Sequence, residues 1–210
     1  MNEHHSSRID LAALAPGFAE PVRDTQTVFR TLLDALARPG KVCAIEAPLP
    51  AAPAGAKAPR AGLAAFASLL ALCDYATPVW LAGSDDALAA AVRFHTGAPI
   101  AGHARDASFA YVHDASALPP LDQFACGTPE APEHSATVFV RVDALEGGAP
   151  LALRGPGIEH VQTIAPAGLP GRFWRERAAL APLFPCGVDF YLVCGERLIG
   201  LPRTTHVEVN

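Results

Sequence analysis

Residues 188–201 read VDFYLVCGERLIGL and carry the strongest fold signal in the chain. Two apolar runs, 188–194 and 197–201, are separated by the pair Gly195-Glu196. A Gly-X pair between two apolar runs predicts a two-residue type II′ turn, and therefore an antiparallel hairpin. Because both runs are almost continuously apolar, we expect both strands to be covered on both faces, at the centre of a sheet.

Outward from this hairpin, the spacing of apolar residues predicts helices and further strands. The helical stretches are 24–38, 63–73, 84–97 and 169–180, and the strand-like stretches are 41–45, 78–82, 108–113, 137–142 and 150–154. We expect the last two strands to form a second hairpin around residues 146–148. Early helices and late hairpins predict the α/β class, a three-layer domain with a mixed β-sheet flanked by helices. This single domain is expected at 21–210, after an N-terminal tail at 1–20.

Two of the helices have predicted caps and inner faces. Asp24 is expected to cap the first helix, and Ser84 the third. Apolar residues at helical spacing are expected to face the core. These residues are Phe29, Leu32, Leu33 and Leu36 in the first helix, and Leu88, Ala91, Val92 and His95 in the third.

The composition of the 210-residue chain excludes several classes of protein. Half of its residues are hydrophobic (50%), 18% are charged, and the formal net charge is −5. Such a chain is not disordered, and its acidic balance argues against binding to nucleic acid. No apolar run reaches the roughly 20 residues that cross a bilayer, and the N-terminus lacks the pattern of a secretion signal. We therefore expect a cytoplasmic protein with no nucleic-acid partner and no membrane partner.

The five cysteines lack the spacing of a metal or redox site. They are widely separated in the sequence, and no two of them form a CxxC pair. Zinc ribbons, dithiol redox sites and iron–sulfur clusters need closely placed thiolates. We therefore expect no metal site and no iron–sulfur cluster, and we predict structural roles for Cys43 and Cys194, which lie in apolar strands.

Three segments place charged or hydroxyl side chains beside a glycine or proline turn. They are RFHTGAP at 93–99, LRGPGI at 153–158 and PRTTHVE at 202–208. Glycine turns expose backbone N–H groups, and a guanidinium can bind two oxygens of an anion. If the segments converge, they could hold a phosphonate, a nucleotide phosphate or a carboxylate. The candidate anion-binding or partner-contact residues are Arg93, His95, Thr96, Arg154, Gly155, Gly157, Arg203, Thr204, Thr205 and His206.

Each segment also has a structural alternative. His95 lies near the negative end of a predicted helix, where a histidine can be a satisfied structural residue. The sequence Gly155-Pro156-Gly157 is compatible with a simple tight turn. The stretch 203–206 could be a paired strand edge or a subunit contact.

The sequence assigns no catalytic residue. It contains no GxSxG elbow, no HExxH helix, no GxxxxGK[ST] loop and no GxGxxG loop. Asp74 and Asp189 stand beside apolar strands, where a buried carboxylate is costly unless it is paired. We expect Asp74 to cap or hydrogen-bond the turn at 75–78.

The ordered set FRTLLDALARPG, CDYATPVWL, RFHTGAPI, LRGPGI and FPCGVDFYLVCGERLIGLPRTTHVEV resembles the H-subunit family of the bacterial carbon–phosphorus lyase system. The resemblance runs from Val22 to Val209 in the same order. Its specific part is the combination of RFHTGAP, the Gly-Pro-Gly turn and the terminal PRTTHVEV.

This resemblance implies a role in alkylphosphonate catabolism. Members of the family belong to a core complex with the G, I and J subunits, which supports the ATP-dependent formation of ribose 1-phosphonate 5-triphosphate. The resemblance also implies a fold similar to the large domain of pyridoxal-phosphate-dependent transferases, and a homodimer when the subunit is isolated. It therefore predicts a binding or structural subunit, with a phosphonate or ATP as possible ligands of the assembled complex, and supplies no catalytic residue.

The residues add two expectations to the implied role. A pyridoxal-phosphate enzyme needs a lysine in a desolvated pocket, and the two lysines, Lys41 and Lys57, stand at unsuitable places. We therefore expect no pyridoxal phosphate and no other cofactor. The alternative is an active transferase or N-glycosidase-like subunit that uses His95 or His206 as acid or base.

Overall fold

The computed structural model describes residues 14–47, 49–52 and 59–208. Within them the helices are α1 (Pro21–Ala37), α2 (Leu63–Leu72), α3 (Asp86–Thr96) and α4 (Arg172–Leu180). The strands are β1 (Val42–Ala44), β2 (Val79–Ala82), β3 (Phe109–Val112), β4 (Thr137–Arg141), β5 (Leu151–Arg154), β6 (Gln162–Ile164), β7 (Asp189–Cys194), β8 (Arg197–Leu201) and β9 (His206–Glu208). None of the helices in these residues is long and apolar enough to cross a membrane.

The predicted central hairpin is confirmed. Six strands form a mixed sheet in the order β1-β8-β7-β4-β3-β2, so β7 and β8 both have neighbours on each side. Strands β2, β3, β4 and β7 are parallel, whereas β8 is antiparallel to β7 and β1. Gly195 has a φ of +61°, the left-handed conformation that a type II′ turn requires at its first central position.

The second predicted hairpin, between 137–142 and 150–154, is wrong. Strand β4 is buried between β3 and β7 in the large sheet, whereas β5 belongs to a separate antiparallel sheet with the order β6-β5-β9. The glycines at 147 and 148 therefore lie in a connection between two sheets. Strand β4 joins the large sheet instead of pairing with β5 because its sequence is almost wholly apolar. Such a strand is stable when it is buried between parallel neighbours.

The two faces of the large sheet are covered differently. Helices α1, α2 and α3 pack on one face, where the rings of Phe139 and Tyr191 stack with centroids 4.9 Å apart. The other face is covered by α4 and the small sheet, and Phe173 meets Phe190 edge to face there. The α/β class with a mixed sheet and flanking helices is thus confirmed.

Helix α1 differs from the prediction in its start and its buried face. It begins after Glu20, whose backbone N–H donates to Asp24 within the first turn, so Asp24 is not the N-cap. Its buried residues are Val28, Leu32 and Ala35, whereas Phe29 and Leu33 remain 49% and 57% exposed. The physical reason is the close approach of α1 to β8 at Gly200, where a Cβ would meet the backbone of Ala35. The small residues Ala35 and Gly200 allow the helix and the strand to come close, so this side of α1 faces the sheet. The large side chains of Phe29 and Leu33 then point to the outside of the helix.

Helix α3 begins one residue later than predicted, because Ser84 is not its cap. Asp85 is its N-cap, because the Asp85 Oδ1 accepts from the backbone N–H of Leu88 at 2.9 Å. The predicted inner residues Leu88, Ala91 and Val92 are buried, but His95 is exposed in the last turn.

Candidate functional site

The second and third candidate segments lie side by side in the small sheet. Strand β5 pairs with β9 so that Arg154 stands opposite His206. The following residue, Gly155, lies against the backbone of the 202–205 turn, and a Cβ built on it would stand 2.8 Å from the Thr204 carbonyl oxygen. The sequence separation between these segments is thus bridged by strand pairing and by close backbone contact.

The Gly-Pro-Gly turn also meets the end of helix α1. A Cβ built on Gly157 would overlap the Ala37 carbonyl oxygen and stand 3.0 Å from Cδ of Pro39. On the other side of Pro39, Gly40 lies against the small sheet. A Cβ built on Gly40 would stand 2.8 Å from the Leu153 side chain and 2.6 Å from the Gln162 side chain. The ARPG stop of α1 therefore fits between the turn and the small sheet.

These contacts enclose a cleft of about 420 Å³. Its lining includes Arg38, Lys41, Gly157, His160 and Gln162. Sequence reasoning did not single out Arg38 or His160 as site residues, and it considered Lys41 only as a cofactor lysine. The signal that could have found them is the run ARPGK, in which two cations flank a helix stop.

The groups around this cleft include both cations and carboxylates, and Glu159 belongs to its lining together with Arg38 and Lys41. Asp34 pairs with both Arg38 and Lys41, with 2.9 Å between the Lys41 Nζ and the Asp34 Oδ2. Two cations therefore share one carboxylate. Arg154 donates from Nε to Glu208 at 2.9 Å and from Nη1 to the carbonyl oxygen of His160 at 3.3 Å. The cations around the cleft are thus matched by carboxylates, and exposed ion pairs of this kind add little to stability.

Arg203 is bonded within the fold. Its backbone N–H donates to Oδ1 of Asp189 at 2.7 Å, and its Nη2 donates to Oδ2 at 2.6 Å. Its guanidinium also donates to the carbonyl oxygens of Pro132 and Pro185 and to the hydroxyl of Ser135. The carboxylate of Asp189, which the sequence required to be paired, has this partner, and the arginine fastens the end of β8 to the start of β7.

Arg177 of α4 holds the same turn from the other side, and sequence reasoning missed it. It is 7% exposed and donates to the carbonyl oxygens of Pro202 and Thr205, each at 2.6 Å. Burial lowers the pKa of its guanidinium to about 10. The Nε of Arg177 and the hydroxyl of Thr205 are buried without a hydrogen-bond partner. The available signal was an arginine at helical spacing from Phe173 and Trp174, on the apolar face of the helix.

The first candidate segment lies at the C-terminal end of α3. His95 Nε2 is 2.9 Å from the carbonyl oxygen of Ala15, and the Thr96 hydroxyl donates to the carbonyl oxygen of Val92 at 2.8 Å. Arg93 is exposed. Among the described residues, no hydrogen bond or ion pair joins this segment to the other two. The structure thus brings two of the three segments together, and ligand binding by any of them stays a prediction.

Turns in the rest of the chain agree with the sequence. Asp74 Oδ1 accepts from the backbone N–H of Ala76 at 2.9 Å and from the hydroxyl of Thr77 at 3.0 Å, as expected for a turn-forming carboxylate.

All five cysteines are free thiols, and Cys43 is buried in β1. No group of three or more histidine, cysteine or acidic side chains in the described ranges has the arrangement of a metal site.

Comparisons with known proteins agree with the resemblance carried by the motifs. The model of the family described as bacterial phosphonate metabolism protein (PhnH) matches residues 16–208. The alpha-D-ribose 1-methylphosphonate 5-triphosphate synthase subunit PhnH of Rhizobium meliloti (strain 1021) is 44% identical over 194 residues, which cover 91% of this chain and 94% of the relative. A protein of Stutzerimonas stutzeri named as a C-P lyase subunit, HtxG, is 32% identical over 186 residues, which cover 88% of this chain and 86% of the relative. The chain therefore belongs to the PhnH family of bacterial phosphonate metabolism proteins.

Proposed function

We propose that this chain is a binding or structural subunit of a carbon–phosphorus lyase core complex. In that role it supports the ATP-dependent formation of ribose 1-phosphonate 5-triphosphate from an alkylphosphonate. The observation that carries the proposal is the 44% identity to the Rhizobium meliloti subunit over 94% of its length. The geometry agrees with a supporting role, because Arg203 and Arg177 are bonded to the fold itself.

Reconstitution tests the proposal. The complex is assembled with and without this chain and supplied with ATP and methylphosphonate, and the triphosphate product and released adenine are measured. We expect turnover by the complete complex, a loss of turnover or of assembly without this chain, and no product from the chain alone. Steady product formation by the purified chain alone would contradict a supporting role.

A catalytic role for a histidine is the competing hypothesis. His206 is exposed on β9 opposite Arg154, so an acid or base would stand beside a cation there. His206→Ala and His95→Ala, made separately, distinguish the two roles in the reconstituted complex. Lost turnover with intact assembly favours catalysis, whereas lost assembly favours a structural role.

We propose that α1 supplies a contact surface for the G, I or J subunits, and for a second copy when the chain is isolated. Val22, Phe29 and Leu33 are 76%, 49% and 57% exposed and are spaced by seven and four residues, so they lie on one face. Exposed apolar side chains grouped on one helix face are typical of a protein interface, and here Thr25 and Gln26 stand between Val22 and Phe29.

Sedimentation of the isolated chain tests this contact. We expect a dimer at micromolar concentration and a monomer after Leu33→Asp, because a charge on the stripe must be desolvated on association. Leu183→Asp, at an exposed leucine elsewhere (47% exposed), is the matched control and should leave the dimer intact. A monomeric wild-type chain would contradict self-association.

We propose further that the subunit uses neither pyridoxal phosphate nor an iron–sulfur cluster, and that its fold is similar to the large domain of pyridoxal-phosphate-dependent transferases, as the resemblance implies. The Lys41 Nζ is bonded to Asp34, and its side chain is 46% exposed, unlike a desolvated aldimine lysine. Lys57 lies outside the described residues. A saturable, borohydride-trapped adduct at Lys41 would contradict the proposal. A cytoplasmic location is part of it, because the complex uses ATP.

A further inference from the structure

A second cluster of cations lies at the carboxyl ends of the parallel strands, away from the cleft beside α1. In the strand register Tyr111 stands opposite Phe139. His113 and Arg141 each follow two positions later, so their side chains leave the sheet on the same face as Tyr111 and Phe139. This face is covered by α2 and α3, and Asp85 caps α3 at this edge.

The ring of His113 is held by its contact with Tyr111. The Tyr111 hydroxyl lies 3.1 Å from Nδ1 of His113. Burial raises the pKa of Tyr111 to about 12, so the hydroxyl keeps its proton and can either donate to Nδ1 or accept from it. The contact uses Nδ1 and leaves Nε2 without a hydrogen-bond partner among the described residues, and Nε2 carries the ring proton in the tautomer in which Tyr111 donates.

The positive charges of two arginines act on this imidazole. Arg141 donates from Nη1 to the His113 carbonyl oxygen at 3.3 Å. Burial, and next the positive charges of Arg60 and Arg141, lower the pKa of His113. Arg60 and Arg141 are both exposed. Their guanidinium groups form no ion pair with any carboxylate of the described residues.

The neighbouring carboxylates are already bonded to backbone amides. Asp85 accepts from the N–H of Leu88 at Oδ1 and from the N–H of Arg60 at Oδ2, both at 2.9 Å. Asp114 accepts from the N–H of Ser116 at 2.9 Å. Among the described residues neither carboxylate forms an ion pair with Arg60 or Arg141, and the bond at Asp85 Oδ2 holds the backbone of Arg60 beside the cap of α3.

We propose that Arg60, Arg141 and His113, in the tautomer that carries its proton on Nε2, bind a tetrahedral oxyanion of the phosphate or phosphonate class. Each guanidinium can bind two oxygens, and the imidazole N–H can donate to a third. Ligands of α/β proteins are commonly bound outside the carboxyl ends of parallel strands, where this cluster lies. The inference goes beyond the proposed function, because it concerns a ligand held by this chain without its partner subunits.

Titration of the isolated chain tests the site. The probes are methylphosphonate, inorganic phosphate and tripolyphosphate, measured by calorimetry and by the shift of the His113 ring signals in NMR. We expect binding at millimolar or lower concentration, a shift of the His113 signals, and an affinity at least about tenfold weaker in Arg141→Ala and in Arg60→Ala. Arg175→Ala, at an exposed arginine of α4 on the other face of the sheet, is the matched control and should bind normally.

The probes also identify the source of the ligand. Preference for methylphosphonate assigns the site to the phosphonate, and preference for tripolyphosphate assigns it to the phosphate chain of a nucleotide; both outcomes support the site. No binding of any probe at millimolar concentration, or equal weakening by Arg175→Ala, overturns it. Neither outcome bears on the supporting role in the complex, which is measured by turnover after reconstitution.

Discussion

Gly157 lies against the carbonyl oxygen of Ala37, so that the Gly-Pro-Gly turn and the last turn of α1 share one backbone contact. Gly157 has a φ of +81°, and a Cβ on it would also stand 3.0 Å from Pro39. Glycine is therefore required here both by conformation and by space. The contact fixes one wall of the cleft that holds Arg38 and Lys41.

Gly157→Ala should destabilise the protein by about 2–4 kcal/mol, because left-handed strain adds to the overlap with Ala37. Gly147→Ala is the control, since Gly147 has a similar φ of +87° but nothing within 4 Å of its built Cβ. The control should lose only about 1 kcal/mol. Urea denaturation measures both, and equal losses would show that the contact with Ala37 costs nothing.

Asp189→Asn should destabilise the protein by about 2–4 kcal/mol, because it leaves the largely buried Arg203 guanidinium without its carboxylate. Glu208→Gln breaks the Arg154 ion pair, whose side chains are 53% and 55% exposed. We expect this control to lose less than about 1 kcal/mol. Denaturation midpoints compare the two, and a larger loss in Glu208→Gln would contradict the assignment of the Asp189 pair as the structural one.

The pKa of His113 should lie below the ordinary histidine value when followed by NMR. Burial lowers it first, then Arg60 and Arg141, whereas Asp85 and Asp114 raise it. Arg141→Ala should therefore move this pKa upward and Asp85→Asn downward. A pKa that Arg141→Ala leaves unchanged would show that the guanidinium stands too far from the ring to matter.

The same residue predicts a loss of stability in acid. The folded pKa of His113 is lowered, so the unfolded chain takes up the proton first as the pH falls. Stability should consequently decrease as the pH drops below about 6.5, and less so in His113→Gln, which cannot take up the proton. Denaturation curves at several pH values measure the difference, and identical pH dependence in the two proteins would contradict it.

Thiol labelling should distinguish Cys194 from Cys73. Cys73 is 8% exposed, and burial, with Asp74 nearby, raises the pKa of its thiol, so little reactive thiolate forms. Cys194 is only half-buried at the end of β7. In the native state we expect modification of Cys194 before Cys73, followed by mass spectrometry. Earlier modification of Cys73 would indicate local opening of α2.

Local patterns predicted the central elements well. The hairpin at 188–201 was predictable because its turn glycine and its two apolar runs are adjacent in sequence. The bounds of β2, β3 and α2 agree with their predicted stretches within two residues. In each of these cases burial and conformation are set by neighbouring residues.

Long-range contacts account for what the sequence did not predict. The outward turn of Phe29 and Leu33 follows from the approach of α1 to Gly200, far along the chain. The small sheet joins strands that begin at residues 151, 162 and 206, and no periodicity in any one of them reveals that pairing. The cations that act on His113 likewise come from separate elements, and only the tertiary fold brings the charges of Arg60 and Arg141 to bear on this ring.

The short segment after Leu201 serves three parts of the molecule at once. Its backbone completes one edge of β5, its arginine neutralises Asp189, and its carbonyl groups accept from Arg177. Proteolytic clipping after Leu201 would therefore leave an open strand edge, an unpaired carboxylate and an unsatisfied buried guanidinium together. The segment after Leu201 must therefore stay uncut for the subunit to remain soluble and to assemble, because open strand edges promote aggregation.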